Sequence, residues 1–425
     1  MLDLKSIKKS SIRDTLSSFI QHSFDYTRHS QACPILSDFD FFMNAFERIF
    51  SSPQSGREFL QVKGDSQSGE DLAKSTFFDS LHSKRRLAMT KDVAGAFQRL
   101  LSRLFDKFSV DYLSDFPELK EYRVLAGDGH YIDHGCHSKR DAKGKVYAAG
   151  TIYTQDLRTG LLSVLDVVTD GKRKSHEIPI FRNAVEAMAN QCDQKTLWIL
   201  DRAYVDKTWW PRQKNKGHHV IVRLKENNRL QECGDLNFDP QKDINAGVTR
   251  YYLAGIGNSS AAQRIIEYTD PETGQEYKFV TTLSDMPPGL IASLYFLRWR
   301  IEKSFDICKN TFLERKAWAT GKVALEIQSH MISMAYNFLR FIKEFLQEEE
   351  GIEDLKVVVK YNKDLVRREK KASENGRQLH PFLKRMKRMH RLSTQFIRVI
   401  KNHFLQLTPF CRLTELFRQR MDVYL

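Results

Sequence analysis

Residues 289–313, GLIASLYFLRWRIEKSFDICKNTFL, follow the pair Pro287 and Pro288 and are rich in good helix formers, which predicts one amphipathic helix across the stretch. Within it Tyr295, Arg298, Glu302 and Lys309 lie at offsets of 0, 3, 7 and 14. At about 100° per residue the four fall within roughly 60° of one another, so a phenol, a carboxylate and two cations share one helix face. The stripe runs about 21 Å at about 1.5 Å per residue, long enough to follow nucleic-acid backbone while the carboxylate faces a metal. An ordinary solvated face is the alternative, with Arg298 and Glu302 as an i,i+4 pair worth a few tenths of a kcal/mol.

Upstream, the pattern becomes strand-like at Tyr122. RVLAGDGHYI (123–132) reads as a strand with Gly127 and Gly129 flanking Asp128. VYAAGTIYTQDL (146–157) and LLSVLDVVTD (161–170) follow as strands joined across the tight turn RTG, and HEIPIFRNAVEAMANQ (176–191) has helical period. KTLWILDRAYVD (195–206) is a short buried strand running into Asp201, and HHVIVRLK (218–225) is another apolar run. Residues 226–276 turn polar and turn-rich with short β-like pieces, a β-rich insertion, before YKFVTTLSD (277–285) returns to a buried strand. Strands mixed with crossovers call for a sheet covered by helices, and such sheets gather ligand and catalytic groups at their strand ends. Asp128, Asp201 and Glu302 are therefore expected to converge. Asp133 competes with Asp128 for the first acidic place; Asp128 is preferred because its flanking glycines permit close approach.

The sequence divides into a helical N-terminal domain (1–120), a core (121–225 and 277–346), the insertion (226–276) and a basic helical C-terminal module (347–425). Helical spacing is clear in residues 38–50, 92–108 and 324–346. Lys84, Arg85 and Arg86 are read either as phosphate contacts or as an exposed helix end. The formal charge is +14, and the last 71 residues hold 18 Lys and Arg against 5 Asp and Glu, so nearly all the excess sits there. Such concentration favours a polyanionic partner, with Lys384, Arg385, Lys387, Arg388 and Arg391 in one helical neighbourhood suited to sequence-independent backbone binding. Six scattered cysteines without a C-x2-C pair fit reduced thiols. No run of 18 apolar residues and no apolar signal segment occurs, so no membrane role is expected.

Three carboxylates from separate elements suit hard cations: two Mg²⁺ or Mn²⁺ ions about 3.5–4 Å apart would activate a water or 3′-hydroxyl and stabilise the leaving oxygen of an in-line displacement at phosphorus. Arg202, Arg223 and Lys225 stand just beyond strands that should end near this site, where a cation suits a phosphate. The patch His130, Asp133, His134, Cys136 and His137 lacks a second cluster to complete a structural zinc site.

The spacing Y-x2-R-x3-E-x6-K, together with Asp128 and with Asp201 in LDRAY, resembles the signature of DDE transposases of the bacterial "insertion sequence four" family. The resemblance implies an α/β fold with an RNase H-like mixed sheet, a β-rich insertion and flanking helical modules. It implies Asp128, Asp201 and Glu302 as catalytic metal ligands for two Mg²⁺ ions, and Tyr295, Arg298 and Lys309 as contacts to transposon-end phosphates. It further implies cut-and-paste transposition, double-stranded DNA ends and target as partners, a homodimer on DNA, and a bacterial cytoplasmic, nucleoid-associated location. An RNase H-like nuclease that cuts without joining, and a non-catalytic DNA-binding protein of transposase descent, are the alternatives. Some relatives stack an insertion tryptophan on a flipped base, but Trp198, Trp209, Trp210, Trp299 and Trp318 all lie outside 226–276. Tyr251 or Tyr252 are the candidate substitutes, or else packing residues.

Overall fold

A computed structural model describes residues 4–25, 35–51, 58–61, 74–133, 149–169, 177–189, 195–258, 261–312, 314–352, 355–382 and 392–419. Lys384, Arg385, Lys387, Arg388 and Arg391, and with them His134, Cys136 and His137, lie outside the described residues.

The five strands read from the sequence as the core are β1 (Tyr122–Ile132), β2 (Ala149–Asp156), β3 (Leu162–Val168), β4 (Lys195–Leu200) and β5 (His218–Arg223). Their spatial order is β3-β2-β1-β4-β5; β1 pairs antiparallel with β2 and β2 with β3, whereas β4 runs parallel to β1 and β5 to β4. That is the RNase H-like arrangement. β4 and β5 are buried along most of their length, as expected for parallel strands covered on both faces.

The insertion does not form a sheet of its own. β6 (Leu230–Asp235), β7 (Val248–Ile256) and β8 (Gln263–Thr269) pair antiparallel in sequence, β9 (Glu276–Thr281) joins β8 to β5, and among the described residues the sheet has nine strands in the order β3-β2-β1-β4-β5-β9-β8-β7-β6. The register shifts between Glu232 and Gly234, a bulge on the last strand. Tyr251 and Tyr252 are both buried, the latter's hydroxyl donating to Glu267 Oε1 at 3.1 Å, so they are packing residues in this state rather than open stacking platforms.

The described α-helices are α1 (Leu4–Lys9), α2 (Ile12–Phe24), α3 (Asp38–Phe50), α4 (Lys74–Ser80), α5 (Lys84–Lys107), α6 (Glu177–Ala189), α7 (Trp209–Lys214), α8 (Pro288–Tyr295), α9 (Trp299–Asn310), α10 (Lys322–Glu350), α11 (Leu355–Glu374), α12 (Thr394–Leu405) and α13 (Phe410–Gln419). α10 is the spine, packed against α3, α5, α9, β2 and β3. Its Asn337 behaves like a piece of strand: Oδ1 accepts from the Leu162 N–H at 2.7 Å and Nδ2 donates to the Leu162 carbonyl at 2.8 Å, closing the start of β3. Among the described residues no helix is long and apolar enough to cross a membrane.

Two expectations are corrected. The stretch 289–313 is not one helix: a 3-10 turn, Phe296–Arg298, separates α8 from α9. The tighter turn lets Phe296 lie among Tyr268, Tyr277 and Phe279 of β8 and β9 (centroids 5.6–6.2 Å) while Arg298, two residues on, turns to β1. Arg85 and Arg86 are not free for phosphate. Lys84–Arg86 form the first turn of α5, and both guanidiniums pair with Asp38, Arg85 through two 2.7 Å bonds and Arg86 at 3.2 Å with a further bond to the Leu36 carbonyl.

Candidate active site

β1 and β4 deliver two of the three carboxylates. Their parallel register pairs Gly127 with Leu200, so the following residues, Asp128 and Asp201, leave neighbouring strands side by side, at a spacing of about 4.8 Å. Asp201 ends β4 and caps the 3-10 turn Arg202–Tyr204, its Oδ1 accepting from the Arg202 N–H at 2.7 Å. Asp128 Oδ1 accepts from the Gly129 N–H at 2.9 Å. Both glycines are closely covered, on the opposite face of the strand. A Cβ on Gly127 would meet Leu200 at 2.9 Å and Phe181 at 3.1 Å, and one on Gly129 would lie 2.8 Å from the Glu177 carboxylate. Helix α6 is pressed onto β1 at that point.

The third carboxylate arrives from α9 and is linked to the first by Arg298. One guanidinium nitrogen, Nη1, lies 2.8 Å from Glu302 Oε1 and 3.2 Å from Asp128 Oδ2. Arg298 is buried, its Nε has no partner, and its charge is strengthened: burial opposes it, but Tyr295, Glu302, Asp128 and Asp201 together outweigh that. The Asp128 carboxyl goes the other way, raised to about 6 by burial, with the repulsion of Glu177 and Asp201 adding to it and Arg298 and the Gly129 N–H only partly offsetting it. Asp128 is thus incompletely neutralised, which is the chemistry of a site that would take up a cation. No group of three or more His, Cys, Asp or Glu among the described residues is close enough to hold a metal as it stands, and the guanidinium occupies the space between Asp128 and Glu302.

The other expected contacts sort themselves by depth. Tyr295 is buried, its ring 4.9 Å from Phe279, with the Arg298 guanidinium 6.0 Å from its centroid. Burial raises its phenol, and Arg298, Asp201 and Arg223 all influence it, which brings Arg223 to the same neighbourhood. Arg223 also lies 4.7 Å above the Tyr277 ring. Lys225 and Lys309 are exposed, Lys309 two helical turns beyond Glu302. Asp133, the competitor for the first acidic place, instead continues β1 into a parallel bridge with Lys316 and takes no part in this cluster.

One member was not found from sequence. Glu177, the first residue of α6, is buried and accepts from the Tyr131 hydroxyl at 3.0 Å and from the Tyr204 hydroxyl. Tyr131 belongs to the strand that carries Asp128 and Tyr204 to the turn capped by Asp201, so Glu177 braces both carriers. Burial and the Glu177 charge push both phenols above their ordinary value. The available signal was an acid at the start of a predicted helix, which the helix dipole alone would explain.

Residues 120–338 match the family described as transposase DDE domain. The chain belongs to that family. This DDE-domain chain is also similar to a piggyBac transposase seen by cryo-EM in a synaptic complex with hairpin DNA, at 10% identity and a TM-score of 0.36 over 99% of this chain and 85% of that one. No curated protein matches the sequence.

Proposed function

We propose that this DDE-domain protein is a transposase of the insertion-sequence-four type that cuts a DNA segment at its ends and joins it elsewhere, with Asp128, Asp201 and Glu302 as its catalytic carboxylates. The observation that supports the reading is the Arg298 guanidinium, which pairs with both Asp128 and Glu302, together with the β1–β4 register that puts Asp201 on the strand beside Asp128. Mg²⁺ or Mn²⁺ held by these three carboxylates would supply Lewis-acid activation of an attacking hydroxyl and charge neutralisation at phosphorus. Arg298 holds Asp128 and Glu302 in register before DNA arrives. When DNA binds, a phosphate competes for its guanidinium, whose buried Nε–H has no partner to give up, and both carboxylates are released. Arg223, Lys225 and Lys309 surround the site with cations for the flanking phosphates, and Tyr295 backs Arg298. Lys384, Arg385, Lys387 and Arg388 add sequence-independent affinity. DNA ends and target are the partners, bridged by two copies of the chain.

The test is a nicking and strand-transfer assay with DNA carrying the sequences that flank the coding region, in Mg²⁺ or Mn²⁺. Asp128→Asn, Asp201→Asn and Glu302→Gln are each expected to lower cleavage at least about 10³-fold while leaving DNA affinity within about threefold, because they remove transition-state interactions rather than ground-state binding. Cleavage that survives the triple variant overturns the assignment. Cleaved products without joined ones make the protein a nuclease.

A further inference from the structure

Next to Asp201 in sequence, a cleft of about 390 Å³ opens between the 3-10 turn after β4, the loop after β5 and the end of β7. Four of its lining side chains are cations, Arg202, Lys207, Lys225 and Arg229, and none is acidic. Arg202, Lys225 and Arg229 form no ion pair among the described residues, whereas many other cations of the chain are paired. The wall also contains the Asn228 side-chain amide, whose Nδ2 is buried without a hydrogen-bond partner.

Two backbone features hold the cations close together. The Gly257 N–H donates to the Arg229 carbonyl at 2.8 Å, tying the end of β7 to the loop after β5. Gly257 has φ +63°, and a Cβ there would stand 2.4 Å from Lys207 Nζ, so the ammonium lies directly over the bare turn. Clustered like charges repel, and a buried donor without an acceptor is costly; one anionic occupant with several oxygens answers both.

We propose that this cleft binds phosphates of the DNA strand that leaves the catalytic carboxylates past Asp201 toward the insertion strands, a track separate from the face formed by Arg298 and Lys309. Arg202, adjoining Asp201 in sequence, takes the phosphate nearest the reacting position; Lys207 and Arg229 take the next, with Asn228 donating from below. The proposal rests on the reading of the protein as one that handles DNA, but it is tested without catalysis.

The experiment uses the full chain and a fluorescein-labelled duplex of arbitrary sequence, in EDTA, with the dissociation constant measured by anisotropy across a KCl series. Each lost phosphate contact lowers the slope of log K against log salt by about 0.9, so Lys207→Gln with Arg229→Gln is expected to flatten it by nearly two. Both side chains are exposed, so the variant folds, as an unchanged melting temperature verifies. The charge-conserving pair Lys207→Arg with Arg229→Lys is expected to keep the wild-type slope. A slope unchanged in the Gln pair, or lost equally in the conservative pair, overturns the cleft. A flattened slope from a protein that never cleaves DNA keeps the cleft and rejects the catalytic reading; an unchanged slope with normal cleavage does the reverse.

Discussion

Asp128 is held between burial, which disfavours its charge, and Arg298, which favours it, and burial wins: the carboxyl titrates at about 6. Its folded value exceeds the unfolded one, so its contribution to metal-free stability is present at low pH and lost as the pH rises through about 6. Metal uptake has to displace that proton. Mn²⁺ affinity measured by calorimetry is therefore expected to fall as the pH is lowered through about 6, with a proton released on binding, and Asp128→Asn to weaken binding and remove the pH dependence. An affinity flat across that range contradicts the site. Glu177→Leu strands the buried Tyr204 phenol and the half-buried Tyr131 phenol and is expected to cost about 2–3 kcal/mol in urea unfolding, whereas Glu177→Gln, which keeps an acceptor, costs about 1. Asp128, Asp201 and Glu302 were readable as candidates because each interrupts or follows a strong periodic run. Glu177 was not, because its significance comes from Tyr131 and Tyr204, two partners remote in sequence that only folding supplies.

At the scale of elements, helix and strand periodicity located nearly every core element. It missed the break in the signature stretch because apolar spacing continues through Phe296–Arg298 and a single 3-10 turn has no period of its own. The break is imposed by aromatic packing from strands β8 and β9. Phe296→Ala should accordingly cost about 2 kcal/mol in stability, since the ring is half-buried, and should lower cleavage more than DNA affinity, because Arg298 loses its fixed approach to Asp128. Equal loss in both assays, or in neither, would show that the turn does not position Arg298. The first turn of α5 is charged, and only the pairing with Asp38 reveals the charges of Arg85 and Arg86 as internal.

For the whole molecule, the two ends of the chain interlock: α1 packs on α13, α12 on α2 and α3, and Lys8 pairs with Glu349 and Glu350 at the end of α10. Sequence composition separates these ends, one neutral and one basic, and carries no trace of contacts spanning nearly the full chain length. α11 and the segment after it are fastened to the insertion: Arg368 of α11 pairs with Glu272 at 2.7 Å, and beyond the helix fully buried His380 lies 2.6 Å from the Ile244 carbonyl through Nε2 and accepts from the Phe382 N–H at 3.0 Å through Nδ1. Burial lowers this imidazole to about 4, below its unfolded value, so the stability it gives is present above about 6.5 and is lost as the pH falls toward 4. Thermal melting is expected to show an acid-side loss of order 3 kcal/mol that His380→Gln abolishes; an unchanged acid limb would exclude His380 as its source. Among the described residues the sheet ends at β3 and at β6, and the two edges are finished differently. At β3, Asn337 uses up the Leu162 backbone groups; at β6 the strand is exposed, bulged at Gly234, and carries Glu232 and Asp235 paired with Arg250. Open strand edges recruit copies of themselves, and charge combined with a bulge is how such an edge avoids zipping into fibrils.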